Sequence, residues 1–235
     1  MADAETTLPP RKNADLPARL ASAAVMLAAL FAALWAGGVW LDLFVVAVTA
    51  ATLVEFVPLI LKGFARLGQR SVGIVLGAAY IGLAGYFLVA MPAPMVAGVI
   101  LAVVFVDTFA YAFGRTLGGP KIAPRISPSK TWAGLLGGIV GASLCLAIGA
   151  WGIARFLPDA SRASHDPGGP LAILAIGIVI AVAAQSGDFF ESWLKRRAGV
   201  KDSSNLIPGH GGVFDRTDGI IPVVLIVGAL FVGAA

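Results

Sequence analysis

The sequence predicts an all-α, polytopic integral membrane protein, and three observations carry that reading. Hydrophobic residues make up 58% of the chain and charged residues 13%, with a mean hydropathy of +0.89, which leaves too little polar surface to cover a water-soluble globule. Apolar runs close to the about 20 residues that cross a bilayer as helix recur along the chain. Lys and Arg crowd into alternate connections and leave the others nearly bare, as they do when loops alternate between two sides of a membrane.

Seven spans are predicted, over about 20–36, 38–61, 71–90, 95–114, 132–153, 170–190 and 219–235. With the N-terminus cytoplasmic, fifteen of the seventeen Lys and Arg residues fall on the inner side and only Arg155 and Arg162 on the outer. Adding or removing a pair of spans would keep that parity, so the side of each loop is better fixed than the number of helices. The basic residues spread along one membrane face, which argues against a nucleic-acid groove and for anionic headgroups and a polyphosphate as partners.

Residues 1–16 are polar and proline-bearing and read as a flexible cytoplasmic tail, leaving 17–235 as one transmembrane domain. The first span follows Arg11, Lys12 and Arg19 and lacks a small-residue cleavage site, so an uncleaved helix is expected. In the second, Glu55 stands in apolar sequence near Pro58 and reads as a hydrogen-bonding packing residue without a catalytic part. Between spans four and five, TLGGPKIAPRISPSKTW is too rich in Gly and Pro for helix, and its cations suit phosphate contact. Gly134 and Gly138, with Gly137 and Gly141, form two overlapping GxxxG patterns in span five, a signature of close helix packing. Cys145 lies mid-span, so the chain has neither an internal disulfide nor a cysteine metal cluster. His165 and Asp166 read as solvated residues of the outer loop.

Charge is densest at the end of span six and beyond, in GDFFESWLKRRAGVKDSSNLIPGHGGVFDRTD. If helix continues past the membrane face, Asp188, Glu191, Ser192 and Lys195 share one side and can address one ligand. An unpaired Asp188 at that depth would take up a proton unless a divalent cation kept it ionised. The glycines of Pro208-Gly209-His210-Gly211-Gly212 allow backbone amides to converge on an anion. Asp215 and Asp218 project from neighbouring positions at the start of the last helix, and a few carboxylates with phosphates and water suit Mg²⁺.

Ser192, Lys195-Arg196, Lys201-Asp202, His210-Gly211-Gly212, Asp215-Arg216 and Asp218 follow the spacing of the phosphatidate cytidylyltransferase (CDP-diacylglycerol synthase) family, which the chain closely resembles. Asp107, Ala110-Tyr111, Gly114-Arg115 and Ser127-Pro128-Ser129-Lys130-Thr131 are similar to two further segments of that family; Ala133 departs from it, standing where a Glu is usual. LPARLASA, with Arg19 and Ser22, resembles the family's opening.

The resemblance implies transfer of CMP from CTP to phosphatidic acid, giving CDP-diacylglycerol and pyrophosphate, in the inner membrane of a bacterium. It also implies Mg²⁺ as cofactor, with a monovalent cation left open, and a homodimer, which the GxxxG faces would permit. Within it, Asp188 and Asp215 are expected to hold the metal, with Asp218 as a further or outer ligand. Lys195, Arg196, Lys201, Lys130 and Arg216 are expected to neutralise phosphates, and His210 with the Gly211 and Gly212 amides to bind pyrophosphate. Ser192 is expected to bond a phosphate or the metal shell, and Ser127, Asp107 and Tyr111 to contact substrate. Other CTP-using lipid enzymes, a CDP-archaeol synthase or a polyprenol kinase, are the nearest alternatives; an ion-coupled transporter is a more distant one.

Overall fold

A computed structural model describes residues 16–156 and 169–234 of the chain. Its helices are α1 (Leu16–Ala36), α2 (Gly38–Gly63), α3 (Leu67–Ala90), α4 (Ala93–Thr116), α5 (Trp132–Phe156), α6 (Gly169–Ala198), the single turn α7 (Phe214–Thr217) and α8 (Ile220–Ala234). The first six are long and apolar enough to cross a membrane. The seventh apolar helix, α8, has 15 residues and a rise of about 22 Å, short of the roughly 30 Å hydrocarbon thickness. The expected tail and the outer loop with His165 and Asp166 lie outside the described residues.

One element departs from the all-α expectation. Lys121–Ala123 (β1) and Ser127–Thr131 (β2) pair antiparallel, Lys121 opposite Thr131 and Ala123 opposite Ser127. The prolines that deny helix here are tolerated because each strand of a two-stranded ribbon is an edge strand. Lys130 thereby sits on a strand that leads straight into α5.

The glycine stripe of α5 is consumed within the chain. Gly134, Gly137, Gly138 and Gly141 are buried, and methyl groups at Gly137 and Gly141 would press on the carbonyls of Phe109 and Phe105 in α4. Small residues let the two backbones approach, which is how helices gain packing energy in lipid. That face is therefore covered by α4, the close helix packing that the GxxxG spacing predicts.

The expected continuation of span six beyond the membrane is real: α6 runs 30 residues and carries its charged turn with it. Gly199, at φ 70°, ends it, with the Gly199 amide donating to Arg196 O and the Val200 amide to Lys195 O. This paired closure satisfies the last carbonyls and needs the left-handed glycine. Arg197 Nε then donates to Gly63 O, and its guanidinium lies 4.3 Å from the Phe64 ring centroid, tying the ends of α2 and α6 together. The starts of α1, α5 and α8 and the ends of α2, α4 and α6 meet at the same end of the bundle, as the charge parity requires.

Candidate active site

The last helix crosses α6 at two glycines. A methyl at Gly187 would collide with the Asp218 carbonyl and Pro222, and one at Gly219 would come within 3.2 Å of Asp188 Oδ1. Only glycines allow so close an approach, and its product is that the Asp188 and Asp218 carboxyls face each other. Burial, then the Asp188 charge, pushes the Asp218 carboxyl well above the ordinary carboxylate range. Lys130 Nζ pairs with Asp188 Oδ2 across from it. Burial works against the Lys130 ammonium, but Asp188, Asp107 and Asp218 together hold its pKa above the usual lysine value.

A second cluster lies one turn further along α6. Lys195 Nζ is 2.6 Å from Glu191 Oε2 and 2.6 Å from Asp215 Oδ1, and all three side chains are nearly withdrawn from solvent. Asp215 Oδ2 accepts from the Ser203 amide at 2.9 Å, the Ser203 hydroxyl at 2.8 Å and the Gly212 amide at 2.7 Å. Burial alone would raise Asp215, but the Glu191 and Lys195 side chains and the two amides outweigh it and hold the carboxyl below its ordinary range.

The glycine turn is shaped locally and then pinned to α1. Gly209 and Gly211 have φ of 75° and 83°, the Ile207 amide donates to Gly211 O and the His210 amide to Ile207 O. Ser22 Oγ, on the first turns of α1, lies 2.8 Å from His210 Nδ1 and 2.9 Å from Pro208 O. Arg216 Nη2 donates to His210 O at 2.6 Å.

These elements enclose a cavity of about 490 Å³. Of the residues expected from sequence, Asp107, Tyr111, Ser127, Lys130, Asp188, Ser192, Lys195, His210, Asp215, Arg216 and Asp218 line it. Arg196, Lys201, Gly211 and Gly212 do not, and Arg196 and Lys201 are solvent-exposed. The Gly212 amide is directed at Asp215, so it is not free for the pyrophosphate-binding part expected of it.

Sequence reasoning gave no role to Gln185, Ser129, Thr131 and Asp202, which also line the cavity, as does Glu191 from the charged face of α6. Gln185 lies three residues before Asp188, a spacing that the helical period would have exposed. Gln185 Oε1 and Glu191 Oε1 are buried and meet no hydrogen-bond donor among the described residues. Among those residues no three His, Cys, Asp or Glu side chains form a ready metal cage. A facing pair of carboxylates does fit a cation such as Mg²⁺, which keeps most of its water and takes few protein ligands.

The sequence model of the cytidylyltransferase family matches residues 69–233. The chain is 38% identical over 104 residues to a phosphatidate cytidylyltransferase of Rickettsia felis, covering 43% of this chain and 44% of that one. It is 34% identical over 114 residues to the one of Brucella abortus, covering 44% and 35%, and 37% identical over 97 residues to that of Rickettsia conorii, covering 41% and 40%. Each matched stretch thus spans less than half the length of the relative. A match over the greater part of the chain, including both clusters of the cavity, places this protein in the cytidylyltransferase family.

Proposed function

We propose that the protein is a phosphatidate cytidylyltransferase of a bacterial inner membrane, with its cavity facing the cytoplasm, that makes CDP-diacylglycerol and pyrophosphate from CTP and phosphatidic acid. The observation that carries this reading is the Asp188 and Asp218 pair facing Lys130 in a cavity where the membrane helices end, so that a lipid headgroup and a cytosolic nucleotide can meet there. The names of the relatives support the same substrates.

The acceptor phosphate of phosphatidic acid is already an anion, so the reaction needs no strong base. One of its oxygens bonds to the α-phosphorus of CTP as the bond from that phosphorus to the bridging oxygen breaks, and pyrophosphate leaves with the electron pair. The barrier is the meeting of two anions, which cations and fixed geometry relieve. Lys130 and Arg216, on the cavity wall, would neutralise phosphate oxygens, with Ser127 and Ser192 as neutral donors. His210, held by Ser22, lines the cavity and would contact the leaving pyrophosphate.

Asp188 and Asp218 are the residues that would hold Mg²⁺, which when bound would offset charge on the triphosphate. Asp215 was expected as a direct ligand, but two amides and the Ser203 hydroxyl shared with Glu55 meet its Oδ2 and Lys195 takes Oδ1, so its part is to hold Lys195 and the loop.

Purified protein incubated with α-labelled or γ-labelled CTP and phosphatidic acid, with and without Mg²⁺, tests the proposal. The α label is expected on lipid only when Mg²⁺ is present. A γ label on lipid would mean a kinase, and no label on lipid from either nucleotide would overturn the reading.

A further inference from the structure

Glu55 is the one acidic residue of α2 placed deep between helices, eight residues before the helix ends and 5% exposed. A carboxylate at that depth is costly unless donors surround it. Four do. Oε1 accepts from the Ser204 hydroxyl at 2.6 Å and the Val213 amide at 3.0 Å. Oε2 accepts from the Phe214 amide at 2.8 Å and lies 3.0 Å from the Ser203 hydroxyl, whose one proton it shares with Asp215 Oδ2. Two of these donors precede the glycine turn and two follow it, so a single side chain closes the whole connection between α6 and α7. The Val213 and Phe214 amides are among the orphan donors at the start of α7, and Glu55 satisfies them from another helix.

Ser203 joins this carboxylate to the site, because its hydroxyl and amide also meet Asp215, which holds Lys195. Gly212 sits between: a methyl there would collide with Ser203 Oγ and with the Glu55 carboxylate. The glycine therefore makes room for the clamp. Glu55 also lies outside residues 69–233, the stretch matched by the family model.

We infer that Glu55 is a positioning residue of the reaction: it clamps the 203–214 connection so that Asp215, Lys195 and Asp218 stand at the distances the cavity needs. The inference rests on the proposed cytidylyl transfer, since its effect on rate has meaning only there; its effect on the loop does not.

The test is Glu55→Gln in the purified full chain, read in two ways. A glutamine carries one acceptor oxygen and an NH₂ that must face donors, so about one charge-assisted pair of bonds is lost and loop amides 203–214 should exchange at least about tenfold faster. Labelled-CTP turnover should fall by at least about tenfold, and the Mg²⁺ concentration for half-maximal rate should rise, because Asp218 follows the loop. Ser204→Ala removes one donor of the four and should give a smaller change of the same kind, which keeps the inference testable if Glu55→Gln does not fold. Wild-type loop exchange in Glu55→Gln, or loop exchange and Mg²⁺ dependence both unchanged in Ser204→Ala, would overturn it. If the wild-type chain puts no label on lipid, the proposed reaction fails, and the exchange measurement still decides whether Glu55 holds the loop.

Discussion

Replacing Lys195 by Met tests whether the inner cluster is held by charge. Lys195 Nζ stands 2.6 Å from Glu191 Oε2 and from Asp215 Oδ1, with 15% of its side chain exposed against 3% and 8% for the two acids. Methionine fills nearly the same volume, so packing is preserved while two carboxylates are left facing each other without a cation. Breaking a buried ion pair in this way costs about 3–5 kcal/mol, because the remaining charge is neither solvated nor paired. For a chain of this length that corresponds to a fall in Tm of roughly 6–20 °C in detergent. The pair of acids in the variant would bind a proton more tightly folded than unfolded, so the variant should recover stability as pH falls from 8 towards 5. Adding Glu191→Gln removes one of the two charges and should restore a large part of the loss, a coupling that a double-mutant cycle measures. Lys195→Met melting within about 2 °C of the parent at pH 7.5 would refute the reasoning, and so would strictly additive effects of the two substitutions.

Two further outcomes follow from the geometry. Gly212→Ala should destabilise the protein by about 1–3 kcal/mol even without nucleotide, since the added methyl overpacks the Glu55 and Ser203 contact; thermal melting with and without CTP checks this, and a variant that melts normally but binds CTP poorly would restore the amide-cradle reading of that glycine. The second concerns Mg²⁺. Because burial and Asp188 raise Asp218, the metal-free fold binds a proton there that the unfolded chain releases, so the stability of metal-free protein should decline as pH rises above the ordinary aspartate value. Mg²⁺ should reverse that decline at pH 8, and its half-saturating concentration should rise as pH is lowered; melting curves with EDTA and with Mg²⁺ between pH 6 and 8.5 check both, with the opposite slope as the refuting result.

Much of this architecture was legible because lipid imposes simple rules. Apolar runs gave the helices to within a few residues, and the alternation of Lys and Arg brought the ends of α2, α4 and α6 to one side. The helical period put Asp188, Ser192 and Lys195 on a shared face of α6, and the structure adds that Gly199 stops this helix directly after its basic turn. What stayed hidden depends on contacts between distant residues. Nothing local marks Ser203, because its importance lies in reaching Glu55 148 residues away. The hairpin that carries Lys130 was masked by Pro and Gly, which erase the two-residue alternation of a strand. Gly211 and Gly212 look alike in sequence, yet one supplies a left-handed φ and the other room for a carboxylate.

The acids of the site divide by how fully their oxygens are occupied. An ionised carboxylate offers about four acceptor positions. Glu55 meets the Ser204 hydroxyl and two amides, Asp215 meets Lys195 and two amides, and the one Ser203 hydroxyl proton is shared between them, so each has at least three positions filled. Neither has much to gain from a metal ion, and both have a loop to lose. Asp188 meets Lys130, burial and the Asp188 charge work against ionising Asp218, and Glu191 keeps one buried oxygen without a donor among the described residues. Charge left unsatisfied in a cavity is free energy available to a cationic ligand, so the underfilled acids are the ones to connect with substrate and metal. The filled ones act at a distance, by fixing where the others stand. Substitution should separate the two groups: changes at Glu55 or Asp215 should open the 203–214 loop to exchange, whereas Asp188→Asn should leave loop exchange intact and abolish the Mg²⁺-dependent gain in melting temperature.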